Sequence, residues 1–143
     1  MTTPIWRRPA TPEAINEMHR NTLPGLLDIR VTEIGPDWLR ATMPVDQRHV
    51  QPFGLMHGGA SVVLAETIGS CAAVLATPEG QMVVGIEVNC NHLAAVRAGE
   101  VVTAHCRALQ VGRSVQVWQV EISRGDGKLA AVGRLTTAVR AAK

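Results

Sequence analysis

Apolar and polar positions along the chain change their period twice. The runs Leu26 to Ile34 and Trp38 to Val45 alternate apolar with polar residues and flank Gly35-Pro36-Asp37. That is the pattern of a β-hairpin. Between Gly58 and Thr77 the alternation is lost. About twenty residues of Gly, Ala, Val, Leu and Ser carry one charge, Glu66, before Pro78 and Gly80 stop the run. The spacing predicts a helix over 58–77 that is apolar all round, and such a helix is either buried or membrane-spanning. Strand patterns return over 82–93, 100–109, 114–123 and 129–139. In the third of these, Gln116, Trp118, Val120 and Ile122 share one face, and Val115, Val117, Gln119, Glu121 and Ser123 the other. In the last, Arg134, Thr136 and Arg140 mark the wetter face. Gly125-Asp126-Gly127-Lys128 predicts a hairpin turn. Near the start, Thr11-Pro12-Glu13 reads as the cap, first-position proline and acidic first turn of a short helix over about 11–21. Ile15 and Met18 are expected to face inward from it. The segment from Asp46 to His57, with Pro52 and Gly54, is expected to be a loop.

These elements make one α+β domain over 1–143, an antiparallel sheet of five or six strands wrapped around one long central helix. A sheet with one apolar face needs a cover, and 58–77 is the only segment long enough to give it. A membrane span meets the same length test. However, Glu66 near its middle would cost roughly 2.5–3.5 kcal/mol on insertion scales. Small residues also outnumber Leu and Ile, and no Lys or Arg flanks the segment closely. The buried reading is preferred, with a second subunit covering what the sheet does not.

Composition narrows the function. The net charge is only +2, with no basic run or aromatic–basic stripe, so nucleic acid is not an expected partner. Three cysteines (Cys71, Cys90, Cys106) without a C-x-x-C fit free thiols in a reducing compartment. No apolar run follows Arg7-Arg8 to make a secretory signal, and the expected location is the cytoplasm. The histidines His19, His49, His57, His92 and His105 lack ligand spacing, so neither metal nor cofactor is expected.

Candidate chemistry concentrates between Gln51 and Ser70. A helix that starts at Gly58 presents unpaired N–H groups and the positive end of the helix dipole. Gly58 and Gly59 let a ligand carbonyl approach those N–H groups, which is the form of an oxyanion hole. Glu66 is a lone carboxylate on an apolar helix, where desolvation is expected to raise its pKa and sharpen it as a base or nucleophile. Ser70, four residues on, shares its face. Each feature has a plainer explanation: a salt bridge for Glu66, a tight helix entry for the glycines, a cap for His57. It is the conjunction of Gln51, His57, Gly58 and Glu66 that points to chemistry. Gly58 and Glu66 stand about 12 Å apart along a helix rising 1.5 Å per residue. A reacting carbon must lie ~3 Å from both the hole and the attacking group, so two helices packed antiparallel about a two-fold axis are expected to share the site.

The stretch Gln51 to Ser70, with its His-Gly-Gly-Ala-x6-Glu element, resembles the hotdog-fold acyl-CoA thioesterases of the phenylacetate-degradation and 4-hydroxybenzoyl-CoA type. Val84-Gly85-Ile86-Glu87-Val88-Asn89 and Asn91-His92 add to the likeness. The chain is most similar to the group acting on 1,4-dihydroxy-2-naphthoyl-CoA and its enterobactin-proofreading relatives, from Trp6 to Ala138. The resemblance implies a hotdog fold and hydrolysis of an acyl-CoA, with aryl or hydroxyaryl specificity, and dimers paired into a homotetramer. It implies Glu66 as nucleophile or general base, the Gly58 amide as oxyanion hole, Gln51 and His57 orienting the thioester and leaving thiolate, and Ser70 assisting Glu66 or a water. It places His92 and the Gly112-Arg113-Ser114 turn at the nucleotide end of CoA. The chain departs from the pattern at Ala94, where relatives carry a basic residue, although Arg97 remains nearby. It departs again in the order Gly-Arg-Ser. The acyl pocket is expected from Val62, Val63 and Ser70 of one helix with Phe53 and Met56 of the other chain. A hotdog dehydratase is the enzymatic alternative, disfavoured by Gly58-Gly59 after His57. A non-catalytic acyl-CoA binder is the other, disfavoured because a binder gains nothing from a buried carboxylate.

Overall fold

The structure is a computed structural model and describes residues 3–143. Two short helices, α1 (Pro12–His19) and α2 (Leu23–Leu26), precede the hairpin β1 (Arg30–Ile34) and β2 (Trp38–Pro44). A long helix α3 (Gly58–Leu75) follows, then β3 (Gln81–His92), β4 (Val101–Val111), β5 (Val115–Ser123) and β6 (Leu129–Ala141). The six strands form one antiparallel sheet in the order β1-β2-β4-β5-β6-β3. Helix α3 packs on it from β2 across to β3, which is the hotdog arrangement.

Leu64, Ala65, Ile68, Ala72 and Ala73 of α3 are fully buried, as are Leu39, Met43, Trp118, Val120 and Leu135 of the sheet. Burying each large side chain of this kind is worth about 1.5–3 kcal/mol. Small residues set the close approach: a Cβ on Gly69 would lie 2.7 Å from Leu135 Cδ2, and one on Gly133 would lie 3.1 Å from Ala65 Cβ. The predicted inner face of β5 is buried throughout, from Gln116 to Ile122. Gln116 is satisfied there: its Oε1 accepts from Trp118 Nε1 at 3.0 Å and its Nε2 donates to Thr77 Oγ1 at 2.9 Å. Thr77 donates in turn to Ala73 O at 2.7 Å. This chain of bonds pins the C-terminal end of α3 to the sheet.

The N-terminal arm closes the same end. Trp6 stacks on Trp118 with centroids 6.2 Å apart and donates from Nε1 to Gly35 O at 2.7 Å. The Arg8 guanidinium donates to Thr77 O, Pro78 O and Gln81 O at 2.8, 2.9 and 2.6 Å. These carbonyls lie at the negative end of the helix dipole, where a cation is favoured.

Three expectations need correction. The run expected as strand from Leu26 enters the sheet only at Arg30: Leu26 ends the helical turn Leu23–Leu26, with Pro24 in its first turn, and Asp28 takes a positive φ of 54°. Met18 does not face the core; it is 79% exposed, whereas Ile15 is buried. Helix α3 ends at Leu75 and α1 at His19, each two residues short of the span read from the pattern.

Candidate active site

The helix entrance is built by the loop that precedes it. Arg48 pairs with Asp46 at 2.6 Å and with Asp28 at 2.9 Å, and the Arg48 hydrogen bonds hold the Asp46 carboxyl well below the usual range. His49, buried behind them, donates from Nε2 to Leu27 O at 2.8 Å, and its carbonyl accepts the His57 N–H at 2.7 Å. Within the loop, the Gln51 side-chain oxygen accepts from the Phe53 N–H, and Gly54 takes φ +80° at the turn.

His57 is the N-cap of α3. Its Nδ1 accepts the Gly59 N–H at 2.8 Å, and its carbonyl accepts the Ala60 N–H at 2.9 Å. The Gly59 N–H is therefore already used, contrary to expectation. The Gly58 N–H is left at the entrance without an acceptor among the described residues. A neutral His57 ring that accepts at Nδ1 carries its proton on Nε2, aimed away from the helix. Gly58 also lies against His92: the two are joined by a hydrogen bond of 3.2 Å from Nε2 to Gly58 O, and a Cβ on Gly58 would meet the ring at 2.9 Å. Gln51, Met56, Gly58, Ser61, His92 and Leu93 line one cleft of about 400 Å³.

Glu66 lies more than two turns along α3. It is half-buried and makes no ion pair among the described residues. Glu66 and Ser70 line a second, mostly apolar cleft of about 530 Å³, whose far wall is Ala14, Ile15, Met18 and His19 of α1. Cys71 sits in it as well, its thiol pushed by burial up to about 12, with His19 Nε2 3.6 Å from Sγ. Burial also lowers the His19 pKa, favouring the neutral ring. On the β3 side, Glu66 Oε1 occupies the space of the side chain that Gly85 lacks, 2.6 Å from where a Cβ would be. Pairing of β3 with β6 slips between Gly85 and Glu87, a bulge beside the carboxylate.

The sequence-predicted residues thus fall into two half-sites, with Gln51, Met56, His57, Gly58 and His92 at one and Glu66 and Ser70 at the other. Val62 is half-buried, and Val63 packs on the core. Phe53 is 89% exposed. Arg97 is exposed just past β3 on the Gly58 side, its backbone N–H donating to Glu100 at 2.6 Å. Gly112-Arg113-Ser114 joins β4 to β5, and Gly112 and Arg113 line a cleft with Arg7, Thr77 and Gln81 beyond the other end of α3. His92 and this turn are therefore not neighbours within one chain. Among the described residues, the buried side-chain polar atoms left without a partner are His19 Nδ1, Ser61 Oγ and Thr137 Oγ1. Two line the half-sites, and Thr137 is paired directly with Gly85. Among the described residues no group of three or more His, Cys, Asp or Glu side chains could hold a metal ion. The α1 wall and the role of Gly85 were not found by sequence reasoning. The signal that could have found Gly85 is a glycine inside a β-branched run, which marks a bulge or close approach but not what approaches.

Residues 53–131 match the thioesterase superfamily. Over 135 residues the chain is 53% identical to the 1,4-dihydroxy-2-naphthoyl-CoA hydrolase of Escherichia coli K12, covering 94% of this chain and 98% of that protein. It is 48% identical, over 94% of this chain and 98% of the relative, to the proofreading thioesterase EntH of Cronobacter turicensis. The crystal structure of the thioesterase HI1161 of Haemophilus influenzae superposes with a TM-score of 0.93 at 47% identity, covering 96% of this chain and 95% of that one. The fold, the two half-sites and these likenesses together make this chain a member of the thioesterase superfamily and a thioester hydrolase.

Proposed function

We propose that the chain hydrolyses an aryl- or hydroxyaryl-CoA thioester to the free acid and CoA, in a site shared by two subunits, in the cytoplasm. The observation that carries this reading is the pairing of a half-buried, unpaired Glu66 with an unoccupied Gly58 N–H. The substrate class also draws on the relative named for 1,4-dihydroxy-2-naphthoyl-CoA, about half of whose residues this chain shares. Glu66 acts as nucleophile on the thioester carbon or as general base for water. The Gly58 amide stabilises the oxyanion that develops on the carbonyl, a contribution typically worth 10²–10³-fold in rate. Gln51 and the Nε2–H of His57 orient the thioester and the departing sulfur, and Ser70 assists Glu66 or the water. The apolar cleft beside α1 suits the acyl group.

Two contacts support a shared site. Glu66 lies against Gly85, and Gly58 lies against His92, on the same strand. Strand β3 is a sheet edge with exposed Met82, Val84 and Ile86, and such an edge invites pairing. A two-fold axis crossing β3 between Val88 and Asn89, midway from Gly85 to His92, sets Gly85 of one chain opposite His92 of the other. Glu66 then meets the partner's Gly58. The same operation carries Arg113 toward the partner's His92 and Arg97, where guanidinium groups suit CoA phosphates. Pairs of such dimers would give the homotetramer.

The test is release of free CoA, read with a thiol reagent, from a panel of aryl- and alkyl-CoA thioesters. Aryl-CoA is expected to give the highest kcat/KM, and Glu66→Gln is expected to lose at least about 10²-fold in kcat while still binding substrate. Undiminished turnover in Glu66→Gln would remove this mechanism. Mixed oligomers of Glu66→Ala and Gly58→Val chains test sharing, because only a shared site regains activity on mixing.

A further inference from the structure

Gly85 stands in the middle of β3, between Val84 and Ile86, where β-branched residues are the rule. Its φ is not positive, unlike those of Gly54, Gly80, Gly99 and Gly127. The backbone therefore does not demand glycine there, and any L-residue could adopt that conformation. What demands it is space. A Cβ at this position would fall 2.6 Å from Glu66 Oε1 and 3.6 Å from both Glu66 Cδ and Leu135 Cδ1. The closest atom is the tip of a flexible side chain, and no backbone atom lies within that range. An added methyl would displace the carboxylate and leave the fold intact.

We infer that Gly85, with the bulge that follows it, is a positioning residue that seats the Glu66 carboxylate. The inference rests on the reading of Glu66 as the catalytic group. The bulge turns β3 so that the missing side chain opens toward α3. Leu135 closes one side of the gap, and Thr137, the cross-strand partner of Gly85, is fully buried next to it. The carboxylate comes to rest against the sheet and is held at one distance from the substrate carbonyl. Displacement of a reacting group by about 1 Å costs on the order of 10²-fold.

The test is a double-mutant cycle on the intact oligomer with an aryl-CoA substrate. Gly85→Ala is expected to lower kcat about 10- to 100-fold, with KM within about threefold and the melting temperature unchanged or slightly raised. Glu66→Asp shortens the side chain by one methylene, so that its carboxylate no longer reaches the gap. In that background Gly85→Ala is expected to cost less than about threefold, and the difference between the two costs measures the coupling. A Gly85→Ala enzyme with wild-type kcat overturns the inference, and so does an equal loss in both backgrounds. A drop in melting temperature with unchanged kcat would also overturn it by assigning Gly85 to stability. If Glu66→Gln retains activity, it is the catalytic reading of Glu66 that fails. If Glu66→Gln is inactive and Gly85→Ala is not, the seat alone fails.

Discussion

His57 offers a change that separates two roles carried by one ring. Its Nδ1 caps α3 by accepting the Gly59 N–H at 2.8 Å, and its Nε2 is the atom proposed to face the leaving sulfur. The Oδ1 of asparagine hangs from Cγ as Nδ1 does, so His57→Asn keeps a good cap acceptor and removes the outer nitrogen; His57→Ala removes both. Loss of an N-cap costs about 1 kcal/mol, within a range of roughly 0.5–2. At this chain length 1 kcal/mol shifts Tm by about 3–5 °C. His57→Ala is thus expected to melt a few degrees lower, and His57→Asn within about 1 °C of wild type. Loss of a positioned proton donor costs on the order of 10²-fold in rate. Both variants are therefore expected to lose about that much in kcat, with KM little changed. Thermal melts followed by circular dichroism and steady-state CoA release supply the two readouts. Wild-type kcat in His57→Asn would reduce the histidine to a cap. A melting temperature as low as that of His57→Ala would refute the capping geometry.

The remaining predictions concern the supports of the site. Gln116→Leu leaves the buried Trp118 N–H without its acceptor. It should destabilise the protein by about 1–3 kcal/mol, seen as a lower urea midpoint; an unchanged midpoint contradicts the bond's role. Asp46 has a folded pKa depressed from 3.8, chiefly by hydrogen bonding to Arg48. Its stabilisation is therefore complete above the unfolded value and is lost as pH falls through 3.8 toward the folded one. Between pH 5 and 2, wild type should lose Tm more steeply than Arg48→Met; parallel curves would refute the linkage. Cys71, with its thiol at about 12, should resist iodoacetamide in the native protein at pH 8 and react after unfolding. Prompt native labelling, located by mass spectrometry, would show that the second cleft is more open than described.

The main elements were legible because their periods are unambiguous: two for the strands, and unbroken apolarity for α3. The segment around Leu26 and Leu27 misled because two adjacent leucines resemble a strand entering the sheet. Its path is decided by Pro24 and by Asp28 in the left-handed region, which are local backbone effects outside the periodicity. In the site, Glu66 and Gly58 stood out because a charge in an apolar run and a Gly-Gly helix start are exceptions to pattern. The wall supplied by Ile15, Met18 and His19 could not be read, because the placement of α1 against β1, facing α3 across the cleft, is a tertiary choice with no signature in either helix. Gly59 was misjudged for a related reason: its N–H looks free in sequence, and only the ring orientation of His57 reveals that it is used.

The docking of the N-terminal arm bears on the order of assembly. Trp6, near the start of the chain, finds its stacking partner at Trp118, and Arg8 finds its carbonyls at Thr77 to Gln81. The carbonyls that Arg8 binds precede β5 in the chain, whereas Trp6 lacks its stacking partner until β5 has been made. Contacts so distant in sequence form late and slowly, so the arm is expected to be the last piece to settle in refolding. Two of the protein's three tryptophans lie face to face there, and intrinsic fluorescence would time that final step directly.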